Sequence, residues 1–391
     1  MNVLILSTNK YPGGDAGAVR EETFAKLFQS IGCNVLVAGL GPCTNYSKRT
    51  ENGIDYLSLR SENNNKIARL LNRLLLWKRL KQYVLDVNPS FDCIFVGGMS
   101  TRIFNKAKKF ALQNEIKLIH DCVEWYSPEQ FKFGTFSRAY REKNRINSEL
   151  IDKNINVIAI SSFLEDYFKS KQIPSIRIPV ILDVSSVPFE KELDKDKIVF
   201  LYAGMPGKKD YLAEMVSAFA LLSRDRLHNV ELRLVGITKK QLIDGCGAKE
   251  REVEYLADAI KCYGRVPRSH VLELLKTSDF TVLLRDSEKR YAKAGFPTKV
   301  VESLSSATPV ICNLSSDLAM YLSDSYNSLI SLEGSPSAMC EAISRAVDLT
   351  YDERIQLSVN ARKTAETYFD YKKYADSMME FMSDAFKGTG K

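Results

Sequence analysis

Ala294-Gly295-Phe296-Pro297-Thr298-Lys299-Val300-Val301-Glu302-Ser303-Leu304 is followed shortly by Ala307-Thr308-Pro309-Val310-Ile311. A turn marked by glycine and proline feeds a helical run, and Pro309–Cys312 reads as the next strand. A helix start presents unpaired backbone N–H groups and the positive end of its dipole, and here Thr298 adds a hydroxyl and Lys299 a cation. That is an anion site suited to a diphosphate. Glu302 shares the helix face of Thr298 at i, i+4, where a carboxylate can accept both hydroxyls of a ribose. The plainer reading is a helix entry shaped by Gly295 and Pro297, with Lys299 and Glu302 solvated.

Working outward, the same strand–helix rhythm fills the second half: strands at Ile198–Tyr202, Val230–Val235, Thr281–Leu284 and Pro309–Cys312, with helices between them. The first half repeats it, with strands at Asn2–Ser7, Asn34–Leu40, Asp92–Val96, Lys117–His120, Val157–Ile160 and Ser175–Val180. Between the halves, residues 181–197, with Pro188 and the charged run 190–197, read as a linker. The fold class expected is α/β, two tandem Rossmann-like domains with a cleft between them. Residues 1–182 form the first, 197–350 the second, and 351–391 are helices that can return to the first domain.

At 391 residues with 45% apolar and 26% charged side chains, the chain is long enough for two full cores. No apolar run approaches a membrane span, and the N-terminus enters a strand without a basic leader, so the expected location is the cytoplasm. The eight cysteines form no C-x-x-C pair, which removes zinc-knuckle and redox motifs. The net charge of +7 is uneven: residues 1–180 carry 26 Lys and Arg against 17 Asp and Glu, the remainder 29 against 31. A basic first half faces something anionic, yet no nucleic-acid recognition motif accompanies it. A lipid surface or an anionic lipid-linked acceptor fits better.

The segment 294–311 resembles the donor site of GT-B-fold, family 4 glycosyltransferases, retaining enzymes that include capsule, O-antigen and exopolysaccharide transferases. The likeness extends over nearly the whole chain: the Asn2–Pro12 strand with its Gly13-Gly14 turn, Ser161-Ser162, Tyr202-Ala203-Gly204, Gly264-Arg265-Val266 and Ser278-Asp279. The family carries two glutamates eight positions apart; Glu302 matches the second, and Ala294 stands at the first. By resemblance, Gly204-Met205-Pro206-Gly207-Lys208-Lys209-Asp210 is the loop that supplies cations to the donor's diphosphate, with Lys209 at the family's lysine. Breaking a sugar–diphosphate bond builds negative charge on the leaving group, and without metal Lys or Arg must offset it. Arg285, just past a strand, is a second candidate cation. The donor-binding set is thus Gly14, Gly204, Lys209, Arg285, Gly295, Phe296, Pro297, Thr298, Lys299 and Glu302.

In the first domain, Tyr11-Pro12-Gly13-Gly14-Asp15-Ala16-Gly17 lacks the G-x-G-x-x-G spacing, which disfavours a nicotinamide dehydrogenase. His120-Asp121-Cys122-Val123-Glu124-Trp125-Tyr126 lies at the end of a strand, where wound sheets place ligands. Asp121 and Glu124 are the candidate catalytic groups for an acceptor hydroxyl, ahead of His120, with Lys209 serving the leaving group and Trp125 or Tyr126 a sugar ring. The helix 66–81 sets Leu70, Leu71, Leu74 and Trp77 among basic residues, a membrane-surface pattern and equally that of a helix packing its leucines on a sheet. The function expected is transfer of a sugar from a UDP-sugar to a glycan or lipid-linked acceptor at the inner membrane face, with no metal and no cofactor. Two alternatives stay open: a non-catalytic nucleotide-sugar-binding subunit, which Ala294 would fit, and a nucleotide-sugar 2-epimerase, which needs a histidine in the site and has only His120 to offer.

Overall fold

The computed structural model describes residues 1–387 apart from 10, 13–15, 42–45, 47, 61–65, 88–89 and 206–208. The chain divides into two compact units, Met1–Leu182 with Tyr371–Lys391, and Asp183–Asp370.

Unit 1 is built on strands β1 (Asn2–Ser7), β2 (Asn34–Gly39), β3 (Lys48–Glu51), β4 (Ile54–Ser58), β5 (Cys93–Gly97), β6 (Lys117–Cys122), β7 (Ile155–Ala159) and β8 (Ser175–Arg177). Their order is β3-β4-β2-β1-β5-β6-β7-β8, parallel except for the β3–β4 hairpin. The strands are almost continuously apolar because helices cover both faces of a parallel sheet. Val3, Ile5, Val37 and Ile119 pack under the helix Ala16–Ser30, whose Phe24 and Phe28 meet Phe95 at ring distances of 5.0 and 5.7 Å. Met378 and Met382 of the last helix, Ala375–Lys387, are buried in the same core.

Unit 2 has strands β9 (Ile198–Ala203), β10 (Val230–Val235), β11 (Ile260–Gly264), β12 (Phe280–Leu283), β13 (Val310–Asn313) and β14 (Ser328–Ser331), all parallel, in the order β11-β10-β9-β12-β13-β14. This is the doubly wound order, reversing direction between β9 and β12. Phe200 sits at its centre, stacked on Phe280 at 5.8 Å and edge-on to Phe219 at 5.1 Å.

Residues 183–197, read as a linker, pack into unit 2. Lys191 Nζ donates to the carbonyls of Leu275 and Ser278 at 2.5 and 2.6 Å and to Thr308 Oγ1 at 2.9 Å. The buried Arg354 of the helix Tyr351–Tyr368 donates to Asp279 Oδ1 at 2.6 Å and to the carbonyls of Asp194, Lys195 and Lys197. The charges in this run carry no apolar period because they act through such single bonds. The helix Tyr351–Tyr368 therefore belongs to unit 2, and the chain re-enters unit 1 at Tyr371.

Candidate active site

The site assembles in unit 2 at the carboxyl ends of β9 and β12, beside the point where the strand order reverses. The helix Thr298–Ser305 is fixed there by its buried face, Val300, Val301 and Leu304, and by Ser303, which bonds Thr281 at 2.6 Å and donates to the Thr308 carbonyl at 2.6 Å. With that face in the core, Thr298, Lys299 and Glu302 are left half-buried on the other side. The first-turn amides of Thr298 and Lys299 have no carbonyl one turn back within the helix to bond.

Lys299 reaches across to the end of β9. A Cβ on Gly204 would lie 2.3 Å from Lys299 Cε and 2.5 Å from Nζ, so only glycine lets the lysine lie on this backbone. The next strand end needs the same economy: a Cβ on Gly236 would lie 2.2 Å from the Gly204 carbonyl. Lys299 Nζ donates to Tyr202 Oη at 2.8 Å and to Asp210 Oδ2, and lies 4.1 Å from the Tyr202 ring centroid. The Tyr202 hydroxyl donates to the same Asp210 oxygen at 2.9 Å. On its other oxygen, Asp210 accepts Arg285 Nε at 2.8 Å.

Asp210 is therefore a buried carboxylate that joins two cations, Lys299 from a helix start and Arg285 from a strand end. Burial pushes its carboxyl up, but Lys299 and Arg285 outweigh that and hold it down at about 2. Asp210, together with Tyr202, has no role in the sequence reading. The only signal for it is its place immediately after Lys209 in a loop already suspected of binding phosphate. Arg268 was also missed; its Nη1 lies 3.6 Å from Glu302 Oε1. A narrow apolar pocket of about 30 Å3 lies behind Lys299 and Glu302, room for one water and not for a ligand.

The structure thus brings together Gly204, Arg285, Lys299 and Glu302, with Thr298 at the helix start. Gly295 ends the preceding helix, its N–H donating to the Tyr291 carbonyl at 3.1 Å, and Pro297 stands at the helix N-cap. Phe296 is different: its ring is buried against Tyr321 and Phe369 at 5.7 and 5.9 Å, so its side chain serves packing. Lys209 is half-buried next to Asp210, and Tyr291 Oη donates to its carbonyl at 3.5 Å. Ala294 is fully buried at the end of the helix Arg290–Ala294. Gly14 lies outside the described residues.

In unit 1 the strand-end cluster needs correction. Asp121 lies within β6 and is bound bidentately by Arg20, Nε to Oδ2 and Nη2 to Oδ1 both at 2.8 Å, while Arg20 Nη1 donates to the Pro179 carbonyl. A buried carboxylate held by both oxygens in a guanidinium fork ties the first helix to the sheet and is no base. His120 is buried edge-on to Phe104 at 5.1 Å, and burial, opposed by Asp121, pushes its pKa down to about 4. It is a neutral core residue. Trp125 is likewise engaged, packed on Tyr167 at 4.4 Å and donating from Nε1 to Asn144 at 2.8 Å. Glu124 remains half-buried at the strand end, with Tyr126 hydrogen-bonded to it.

Residues 183–364 match the family model for glycosyl transferases group 1. Among curated protein sequences, none matches the chain. Solved structures do: sucrose-phosphate synthase from Thermosynechococcus elongatus superposes with a TM-score of 0.73 at 16% identity, covering 99% of this chain and 100% of that one. HepE of Anabaena in complex with UDP-glucose gives 0.68 at 14% identity over 98% and 100%. Trehalose-6-phosphate from E. coli bound with UDP-2-fluoro glucose gives 0.69 at 11% over 98% and 99%. These likenesses give the chain the GT-B fold. More particularly, its second unit is a group 1 glycosyl transferase domain.

Proposed function

We propose that the chain transfers a sugar, with retention of anomeric configuration, from a UDP-sugar to a glycan or lipid-linked acceptor in cell-surface glycan synthesis. The observation that carries the donor half is the pair of cations, Lys299 and Arg285, held by one buried carboxylate at a glycine-lined strand end. In this reading the diphosphate lies against Lys299, Arg285, Lys209 and the amides of Thr298 and Lys299, and Glu302 accepts the ribose hydroxyls. UDP is favoured because two of the structural relatives hold UDP-sugars.

In the reaction the bond between the sugar's C1 and the β-phosphate oxygen breaks, UDP leaves with the bonding pair, and an acceptor oxygen bonds to C1 while losing its proton. Charge grows on the β-phosphate, where Lys299 and Arg285 stabilise it without a metal. Glu124 is the unit 1 carboxylate assigned to the acceptor hydroxyl, and unit 1 as a whole holds the acceptor. The chain works at the inner face of the cytoplasmic membrane; among the described residues no helix is long and apolar enough to cross one.

Incubation with UDP-[13C]glucose and UDP-[13C]galactose, followed by NMR of the released and transferred sugar, tests this. UDP release with an α-configured product from an α-donor is expected, undiminished by EDTA. An inverted product would remove retention, and loss of activity in EDTA would remove the metal-free step.

A further inference from the structure

We propose that Asn313 is a positioning residue for the transfer: its side-chain amide clasps the main chain of Arg285 and so fixes where that guanidinium meets the diphosphate of the donor. This deepens the donor reading above and rests on it for the word diphosphate. The parallel ladder between β12 and β13 pairs Thr281 with Val310, Val282 with Ile311 and Leu283 with Cys312, and ends there. Arg285 lies two residues past the end of β12, where the ladder no longer supplies partners for its N–H and C=O. Asn313, the last residue of β13, supplies both with its side chain. Its Oδ1 accepts the Arg285 N–H at 3.0 Å, and its Nδ2 donates to the Arg285 carbonyl at 2.8 Å. A carboxamide carries an acceptor and a donor side by side, as a peptide unit does, so it acts as one more rung of sheet. The two partners also settle which end of the amide is oxygen, since the reverse orientation sets N–H against N–H. Asn313 is only 5% exposed, which keeps both bonds away from water.

The loop that carries Asp210 holds the same stretch of main chain. Tyr211 N donates to the Leu284 carbonyl at 2.9 Å, and Asp210 and Arg285 form an isolated antiparallel bridge. Gly334, three residues past β14, closes over the clasp: a Cβ there would lie 3.3 Å from the Arg285 carbonyl and 3.7 Å from Asn313 Nδ2. Arg285 thus has its main chain fixed by two neighbours, and its Nε is committed to Asp210 Oδ1 at 2.8 Å. Among the described residues no protein acceptor bonds its Nη1 or Nη2, the nitrogens left to meet phosphate oxygens. Asp210 sets the direction of the guanidinium, and Asn313 sets the point from which the side chain starts. Charge growing on a leaving group is stabilised best by a donor that need not move to meet it. Without Asn313 the Arg285 N–H and C=O lose their partners, and the main chain is drawn toward whatever else can bond them. A shift of about 1 Å at such a group is enough to weaken its action by an order of magnitude or more.

The test uses the full chain and four variants: Asn313→Ala, Asn313→Thr, Arg285→Ala and the double variant Asn313→Ala/Arg285→Ala. Threonine keeps a strand-forming side chain at the position, but its one hydroxyl cannot replace both bonds, so it serves if the alanine variant does not fold. UDP affinity is measured by calorimetry. In protein labelled with 15N-arginine, the Arg285 Nε–H signal is identified by its absence from Arg285→Ala, and its exchange with solvent is followed in the others. UDP affinity is expected to fall about tenfold in each Asn313 variant, and the double variant to bind no more weakly than Arg285→Ala alone. The Nε–H signal should exchange about tenfold faster once Asn313 is replaced, because the bond to Asp210 opens more often. Losses that multiply in the double variant show Asn313 acting apart from Arg285 and overturn the proposal. Unchanged Nε–H exchange in a folded Asn313 variant overturns it as well. If the wild type binds no UDP while the Nε–H signal still loses protection, the donor reading fails and the clasp on Arg285 stands.

Discussion

Asp210 decides what the site is. A carboxylate buried with two cations is stable only while all three charges are present, so Asp210→Ala leaves Lys299 and Arg285 buried against each other and costs about 3 to 5 kcal/mol. Asp210→Asn keeps the shape and one acceptor; we expect a folded protein that binds UDP about tenfold more weakly, because the cations are no longer aligned. The sign of the acid dependence follows from its folded pKa of about 2, below the unfolded value of 3.8. The ionised form stabilises the fold above pH 4, and that contribution is lost as pH falls from there through about 2. Urea midpoints measured across this range should converge for wild type and Asp210→Asn, and parallel curves would contradict the assignment. Asp121→Asn is expected to act otherwise. It breaks the fork to Arg20, lowers thermal stability and leaves UDP affinity unchanged. Thr298, Lys299, Glu302 and Arg285 were legible from sequence because a helix start and a strand end are local features. Asp210, Tyr202 and Arg268 were not, since their partners on the site helix lie 89, 97 and 34 residues away, and a bond of that span leaves no pattern in sequence.

At the scale of elements, the strands at the centre of each sheet announced themselves, while β3, β4, β11 and β14, toward the sheet edges, did not. β3 is Lys48-Arg49-Thr50-Glu51, wholly exposed, and escapes a search for buried runs. Its hairpin was nonetheless signalled: Asn52 and Gly53 have φ of 50° and 76°, the left-handed pair that a type I′ turn requires. The run 190–197 misleads in the opposite way, since its charges look solvated while Lys191 is caged by three oxygens at the edge of unit 2. Burial, opposed by Asp279, pushes the Lys191 ammonium down to about 7. Lys191→Met strips the donor from the Leu275 and Ser278 carbonyls and from the turn at Thr308 that follows the site helix. A loss of about 1 to 3 kcal/mol in chemical denaturation is expected.

Over the whole molecule, two sheets with near-identical winding are completed by a chain that crosses back at Tyr371. The last helix supplies Met378 and Met382 to the core of unit 1. Met378→Ala should therefore cost about 2 to 5 kcal/mol in the unfolding of unit 1 and leave unit 2 untouched. Two calorimetric transitions, only one of them shifted, would show it. That separation also allows the central claim to be tested on a protein known to be folded. Titration of wild type, Lys299→Ala and Glu302→Ala with UDP, GDP and ADP, beside thermal unfolding of each, is the most direct measurement. Selective UDP binding that falls about tenfold or more in each variant, with unfolding preserved, is the predicted result. A folded wild type that binds none of the three nucleotides would contradict it.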